Sequence, residues 1–425
     1  MENCKSNFKE EPESEAGEMN WKVLLAILTV ACIFMSASYT MLVPFLPLYL
    51  TEELGVTEHA NLWSGAVFSI TFVFSAIMAP IWGAMSDRGS RKMMALRSAI
   101  LLAITYTLGG FVQTPFQLFL VRVFQGVSAG LWPALLSLMS SNCPAKKIGF
   151  SMGVMQGALT AGHVLGPLIG GVLAQYFGMR VSFYTGGAAL FLITLVIFFT
   201  VKEKPVPKAA KKAVKQAAKK QSLFAIPVVC ALLVAAGLTQ TSITVSMPIF
   251  TYYVGELLGT KENLVAISGY VFAVLGIAGV IASPVWGWLG QSIGFKGILL
   301  STMFLAGVFA IISALPQTLT PFVILRFIGG LAFAGIFPAI NSMLTTYTPA
   351  SDRGRAFGVS FSVQQAGSIV GPLIGGGFAS FCSLQVVMII AGVVQLIAFA
   401  HLYLVRGSFT KAESAKALGE ARRGV

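Results

Sequence analysis

The sequence predicts an all-α membrane protein with twelve transmembrane helices arranged in two similar halves. Three observations indicate this fold class. First, 56% of the 425 residues are hydrophobic and only 11% are charged, whereas a soluble domain carries about 25% charged residues. Second, apolar runs of roughly 20 residues, long enough to cross the hydrocarbon core as helices, recur along the whole chain. Third, the second half of the chain repeats motifs of the first.

The apolar runs define the predicted elements in order. Their limits are 22–48, 62–85, 93–113, 116–139, 149–175, 180–201, 223–253, 264–289, 297–315, 319–345, 356–380 and 384–405. The first run, about 27 residues long and preceded by a polar arm, is too long and too late for a cleaved signal peptide. No ten-residue segment alternates with period two, as the strands of a transmembrane barrel would.

These limits divide the chain into five parts. They are an N-terminal arm (1–21), a six-helix bundle (22–201), a basic linker (202–222), a second six-helix bundle (223–405) and a C-terminal tail (406–425). Lysines recur in the linker at three- and four-residue spacing. This spacing fits either an amphipathic helix on anionic lipid or a solvated tether.

The net charge of +13 is distributed as expected for membrane topology. Of 29 Lys and Arg residues, Arg122 and Arg326 fall within runs, Arg180 and Lys261 lie in loops on one side, and 25 lie in the termini and alternate loops. The positive-inside rule then places both termini in the cytoplasm. We expect a lipid bilayer, and not a nucleic acid, as the macromolecular partner. Five scattered cysteines predict neither a disulfide framework nor a metal site.

The internal repeat has an offset of about 205 residues. PIWG at 80–83 recurs as PVWG at 284–287, and GHVLGPLIGG at 162–171 recurs as GSIVGPLIGG at 367–376. Arg122 recurs as Arg326. Parallel repeats of this kind are typical of transporters that rock one half against the other around a midplane site.

From MLVPFLPLYL at 41–50 to the twelfth run, the chain resembles the major facilitator superfamily, in particular twelve-span drug:proton antiporters of the bacterial MdtG-like and tetracycline types. The resemblance implies the major facilitator fold and a monomer, without cofactor, in the bacterial inner membrane. It implies proton-coupled efflux of small drugs or toxic compounds by alternating access, and hence antibiotic resistance. The alternative is a proton symporter or uniporter that imports a sugar or organic acid. The loops carry no nucleotide, metal or paired-carboxylate motif that would favour an enzyme.

GAMSDRGSRK at 83–92 resembles a signature of this family. The resemblance implies a conformational latch formed by Gly83, Asp87, Arg88 and Arg91, in which the aspartate pairs with groups of the other half on the cytoplasmic side. Ser90 stands where the family usually has glycine, and the second half has glutamine in place of the aspartate. Alternatively, these charges only satisfy the positive-inside rule.

Two further motifs carry predicted roles. An arginine inside a span costs at least about 2.5–3.5 kcal/mol, so Arg122 and Arg326 should face a wet cavity or a partner unless their heads reach the interface. The resemblance implies that Arg122 serves proton coupling or holds the first half together. Glycines and prolines permit close packing and bending. The predicted hinge residues are Gly162, Gly166, Pro167, Gly170, Gly367, Gly371, Pro372 and Gly375.

All sixteen Asp and Glu residues fall in termini or loops, which favours neutral, zwitterionic or anionic substrates over cations. Candidate proton carriers are Arg122, His163 and Asp87, with Glu52 and Glu53 as weaker ones; His163 is alternatively a packing residue. Polar and aromatic residues predicted to line the substrate cavity are Tyr39, Gln125, Trp132, Gln156, Gln240, Asn341, Gln364 and Arg326. Any of them could instead make an interhelical hydrogen bond.

Overall fold

The computed structural model of the protein describes residues 20–88, 90–144, 147–201, 226–348, 353–405 and 407. Within these ranges the chain is helical and contains no strand. The predicted linker and most of both predicted terminal segments lie outside the described residues. The five-part division of the chain therefore stays a prediction.

The first half contains six helical segments. Helix α1 is Trp21–Met41 and continues through short helical turns to Glu53; α2 is Ala60–Arg88; α3 is Arg91–Gly109; α4 is divided into Pro115–Ser128 and Leu131–Asn142; α5 is Ile148–Phe177; and α6 is Met179–Thr200. The division of α4 falls at Gly130, whose φ of +118° only glycine adopts readily.

The second half repeats this arrangement. Helix α7 is Pro227–Val245 and continues into Phe250–Leu258; α8 is Leu264–Ile293; α9 is Phe295–Ile312; α10 is divided into Leu319–Phe333 and Ile336–Tyr347; α11 is Arg353–Phe378; and α12 is Leu384–Leu404. Each predicted run coincides with one of these segments, which confirms the predicted fold class. Ten segments of the described chain are long and apolar enough to cross a membrane. The others are α3, which begins with basic residues, and α11, which is rich in glycine and glutamine.

Local sequence explains how two of these helices begin. Ser90 caps α3, its side-chain oxygen accepting from the Met93 amide at 3.1 Å with the backbone extended. Because Ser90 has φ −84°, this turn needs no glycine. Thr114 and Gln117 form a capping box at the start of α4.

Packing within each half follows the same pairing. In the first half α1 packs on α5, α2 on α4 and α3 on α6; in the second α7 packs on α11, α8 on α10 and α9 on α12. The halves meet through α5 with α8 and through α2 with α11. Every helix pair of one half thus has an equivalent pair in the other half, as two copies of one six-helix unit would produce.

Repeated hydrogen bonds fix the correspondence between the halves at 204–205 residues. The indole of Trp82 donates to the Val127 carbonyl at 2.8 Å, and that of Trp286 donates to the Leu331 carbonyl at 2.6 Å. In the same way, the Tyr49 hydroxyl donates to the Gly109 carbonyl at the end of α3 at 3.0 Å, and the Tyr253 hydroxyl donates to the Ala314 carbonyl just after α9 at 3.1 Å. Structure and sequence therefore give the same internal register.

Arg97 corrects the expectation that only Arg122 and Arg326 lie within spans, because it falls inside the predicted run 93–113. The structure places it two turns inside α3, which begins two residues earlier than predicted. Its guanidinium lies 3.5 Å from the centre of the Trp82 ring and donates to the Ser98 hydroxyl at 2.7 Å and the Ala129 carbonyl at 3.3 Å. Cation–π stacking and these bonds replace the water that a loop would have provided.

Candidate functional site

The interface between the halves closes at one end of the bundle, the end at which α2 and α8 begin; we call it the closed end. There Asn61 of α2 donates to the Ala379 carbonyl at 2.9 Å, and Ser69 of α2 donates to the Ile369 carbonyl of α11 at 2.8 Å. Tyr252 of the α7 extension donates to the Pro47 carbonyl of the α1 extension at 2.6 Å. Thr251 bonds the carbonyl of Pro44 beside it.

The opposite end, at which α1 and α7 begin, is the open end. Five glycines in the open-end halves of α5, α8 and α11 have no atom within 4 Å of an added methyl group: Gly153, Gly157, Gly279, Gly287 and Gly358. By contrast, the interface glycines near the closed end are in tight contact. Gly65 of α2 abuts the Pro372 carbonyl, and Gly269 of α8 abuts the Pro167 carbonyl. Among the described residues, the halves are thus packed together at one end only.

The glycine-proline signature of α5 presents two faces. Gly162, Gly166 and Gly170 lie one turn apart on the face that meets α1, where an added methyl group would overlap α1 backbone carbonyls. On the other face, the Pro167 carbonyl and Gly171 meet α8 of the second half. One short segment of α5 therefore packs on α1 of its own half and on α8 of the other half.

The signature of α11 repeats both faces. Gly367, Gly371 and Gly375 contact α7, while the Pro372 carbonyl and Gly376 contact α2. All eight predicted hinge residues thus lie at helix contacts that tolerate no side chain or that present an interior proline. A bending motion at these residues stays a prediction.

Arg122 is buried in the first half, with 4% of its surface exposed, so its guanidinium does not reach the membrane–water interface. It donates to the Gln125 side chain at 3.0 Å and lies within electrostatic range of Tyr39 and Tyr106. Two of its guanidinium nitrogens have no partner among the described residues. A charge left partly unpaired in the interior is costly, which fits a functional or structural role for this side chain.

His163 lies halfway along the 30 residues of α5, roughly 23 Å from each end at the rise of an α-helix. Its Nδ1 lies 2.7 Å from the Ser36 hydroxyl of α1 and 2.8 Å from the Leu159 carbonyl. The side chain is exposed on the side of α5 that also carries Gln156 and Thr160, whereas the exposed Leu165 and Ile169 lie on the other side. On α5 this polar side lies between the glycines that contact α1 and the residues that contact α8, so it faces the space between those two helices.

Arg326 occupies the corresponding place in the second half, beside a cavity of about 110 Å³. Its guanidinium lies 4.6 Å from the centre of the Phe250 ring and 5.9 Å from that of Phe322. We call this cavity the Arg326 chamber; Ile243, Phe250, Ala310, Arg326 and Gly329 are among the residues that line it.

The other predicted cavity residues are dispersed. Gln240 bonds the Ser368 hydroxyl across α7 and α11 at 3.0 Å, and Gln364 bonds Ser360 within α11 at 3.2 Å. Trp132 is half-buried, and Asn341 is exposed, as is Gln156. Sequence reasoning missed Tyr106 and Ile243; comparison of the two repeats position by position could have found them.

Most of the predicted latch lies outside the residues that the structure describes. The side chains of Asp87 and Arg88, and the surroundings of Gly83, lie outside the described residues. Arg91 reaches the Ser137 carbonyl of its own half at 3.4 Å. The latch stays a prediction.

Described carboxylates lie near helix ends or in loops, as the sequence predicted, although α1 and α7 extend far enough to include Glu53 and Glu256 in their last turns. Glu53 forms an ion pair with Arg180 at 3.0 Å. No group of three His, Cys, Asp or Glu residues in the described ranges could hold a metal ion.

We expect Glu53→Gln to have little effect. Both members of the pair are about one-third exposed, and such pairs contribute about 1 kcal/mol or less. Proton-coupled transport by the variant should match that of the wild-type protein, measured with a pH dye inside proteoliposomes. A loss of coupling in Glu53→Gln would instead make this carboxylate the proton carrier.

Comparison with known proteins identifies relatives of the whole chain. The family model described as Major Facilitator Superfamily matches residues 28–261 and 232–423. A protein of Rahnella sp. (strain Y9602) named Multidrug resistance protein MdtG is 35% identical over 395 residues, 92% of this chain and 96% of the relative. The protein of the same name from Proteus mirabilis (strain HI4320) is 37% identical over 358 residues, 84% of this chain and 89% of the relative.

Solved structures share the fold. A bacterial homologue of the human lysosomal transporter Spinster, in an inward-facing and occupied conformation, superimposes with a TM-score of 0.80 at 18% identity, covering 93% of this chain and 99% of the other. The nucleoside transporter NupG has a TM-score of 0.71 at 16% identity, covering 91% of this chain and 99% of the other.

Proposed function

The chain belongs to the major facilitator superfamily, and on that premise we propose that it exports small drugs or toxic compounds in exchange for protons. It is a multi-pass membrane protein of a family of small-molecule transporters. The names of its relatives, multidrug resistance proteins, support the export of drugs. We place it, as a monomer, in the inner membrane of a bacterium with both termini in the cytoplasm.

The observation that carries the proposal is the one-sided contact between the halves. Each half is held together by glycine packing that repeats between them. Among the described residues, α5 contacts α8 and α2 contacts α11 towards the closed end only. The positive-inside rule assigns the open end to the cytoplasm. The arrangement is then an inward-facing state, and rocking of the halves would expose the same interior to the opposite side.

The preferred substrates, in this proposal, are neutral, zwitterionic or anionic. Buried Arg122 and partly buried Arg326 are cations, and the described carboxylates lie at helix ends or in loops. A cationic compound would find positive charge without a counter-charge there.

The decisive experiment uses purified protein in liposomes that contain a pH-sensitive dye. Neutral, anionic and cationic compounds are added under an imposed pH gradient, with protein-free liposomes as the control. We expect compound-dependent proton movement opposite to the compound. Movement in the same direction would instead establish the alternative, a symporter that imports a metabolite, and transport without proton movement would establish a uniporter.

We propose His163 as the proton-carrying group. Imidazole changes charge near neutral pH, and His163 is exposed at the middle of α5 beside an α1 hydroxyl. Arg122 and Asp87 remain the other candidates; the first is an arginine, which hardly releases a proton.

The substitution His163→Gln should therefore uncouple transport. Glutamine can still bond Ser36 but cannot carry a proton, so we expect compound-driven proton flux to fall by about tenfold or more while compound binding persists. Ser36→Ala, which keeps the imidazole, is the matched control and should retain coupling. Undiminished proton flux in His163→Gln would move the proton-carrying role to another residue.

A further inference from the structure

Arg122 and Arg326 are copies of one residue in the two repeats. The hydrogen bonds of Trp82 and Trp286 place the halves in a register of 204 residues around these positions. That register allows the surroundings of the two arginines to be compared one residue at a time.

Three polar side chains lie near Arg122 in the first half. Gln125 accepts a hydrogen bond from its guanidinium, and Tyr39 of α1 and Tyr106 of α3 lie within electrostatic range of it. Arg122 is consequently enclosed, with 4% of its surface exposed.

The second half lacks all three of these side chains. In the same register, Tyr39 corresponds to Ile243, Tyr106 to Ala310 and Gln125 to Gly329. Each of these three smaller or apolar residues lines the Arg326 chamber. The chamber is thus lined by small or apolar residues at the positions where the first half has two phenol rings and an amide.

The chamber has room for a small organic group. Its volume is about 110 Å³, whereas one water needs roughly 10–15 Å³ on the same measure. Its walls are largely aromatic and aliphatic, and three serine hydroxyls, those of Ser242, Ser246 and Ser313, lie among them. Each hydroxyl already donates to a backbone carbonyl, so the guanidinium of Arg326 is the donor that the chamber offers to an anionic group.

The guanidinium of Arg326 lacks a counter-charge. Among the described residues it makes no hydrogen bond or ion pair, and its Nε is buried without a partner. The Phe250 and Phe322 rings stabilise it only partly. An arginine beside an unfilled, partly aromatic cavity presents the donors that bind a carboxylate or phosphonate.

We propose that the Arg326 chamber binds a small organic anion. Its anionic group lies at Arg326, and its flat apolar body lies against the phenylalanine rings that line the chamber. The proposal rests on the proposed transport function in so far as this anion is a substrate. It makes the two halves unequal: the first keeps its arginine enclosed, and the second offers its arginine to a ligand.

The test measures binding to the full-length protein in lipid nanodiscs, with three ring compounds of similar size. Benzoate is the anionic probe, benzamide the neutral one and benzylamine the cationic one. We expect wild-type protein to bind benzoate at least about tenfold more tightly than the other two. Arg326→Gln and Ala310→Tyr, which restores a phenol to the chamber, should each weaken benzoate binding by about tenfold or more. Gly157→Ala, on an open stretch of α5, is the control and should bind as the wild type does.

Either of two results overturns the proposal: a wild-type protein that does not prefer benzoate, or benzoate binding that is undiminished in both chamber variants. The first result needs no variant, so it decides the matter even if Ala310→Tyr fails to fold. Proton-coupled efflux of neutral compounds by the wild-type protein separates the two claims. If that efflux persists while benzoate selectivity is absent, the chamber proposal fails and the transport function stands.

Discussion

The substitution Gly166→Val should prevent the first half from assembling and abolish transport. Residue 166 faces α1, where even a single added methyl group would overlap the Thr40 hydroxyl and the Ala37 carbonyl. The obstacle is helix backbone, so relief requires α1 and α5 to separate. Overpacking of this kind costs about 1–3 kcal/mol or more, and separation would also disrupt the bond from Thr40 to the Gly162 carbonyl. The measurement is the yield of monodisperse protein in detergent, together with its melting temperature.

Two comparisons sharpen this prediction. Gly371→Val should be equally damaging, because residue 371 meets Thr244 and the Thr241 carbonyl in the same way. Gly157→Val is the matched control on α5, where the added side chain meets open space, and it should fold normally. A Gly166→Val protein that folds and transports like the control would show that the glycine contacts do not hold the half together.

The substitution Gly269→Val should leave both halves folded but shift the protein away from the closed-end contact. Residue 269 of α8 abuts the Pro167 carbonyl and the Gly171 backbone of the other half. A valine there destabilises only conformations in which α5 and α8 touch. A cost of about 1.4 kcal/mol changes the ratio of two states tenfold, and overpacking typically exceeds that.

The shift can be measured with a cysteine at position 69, which is buried at the α2–α11 contact. In a background without the native cysteines, Gly269→Val should raise its reaction rate with a membrane-impermeant maleimide about tenfold or more. Gly297→Val, in open space on α9, which packs on helices of its own half, should leave the rate unchanged. Equal rates in the two variants would mean that the α5–α8 contact does not set the conformational equilibrium.

Helix positions and the repeat were predictable because both depend on local sequence. Each apolar run became one helical segment, and the glycine-proline signatures were recognised as close-packing motifs before their partners were known. Helix ends were less predictable: α7 continues to Leu258 rather than ending at 253. Arg97 lies inside the predicted run 93–113, but its stacking partner could not be predicted. Stacking on Trp82 stabilises this arginine, and that contact comes from a distant turn of α2.

The candidate site was only partly predictable, because its features depend on which side chains are missing. The sequence singled out Arg122, Arg326 and His163 and assigned the two arginines different roles, but nothing in it indicated that their surroundings differ. Their difference arises from Ile243, Ala310 and Gly329, which are unremarkable residues for a membrane helix. The cavity that they line is visible only in the structure.

During transport the two six-helix halves should rotate relative to each other, so that one end of the bundle closes as the other opens. Spin-label distances at both ends of the α2–α11 pair test it most directly, with one label pair in each of two variants. Cys382 is the only native cysteine retained in the closed-end variant, and none is retained in the open-end variant. Labels at Cys382 and position 58 report the closed end, and labels at positions 81 and 357 report the open end; all four side chains are exposed. When a transported compound and a pH gradient are applied, we predict that the first distance lengthens as the second shortens. Two distances that stay fixed during transport, or that lengthen together, would contradict the account.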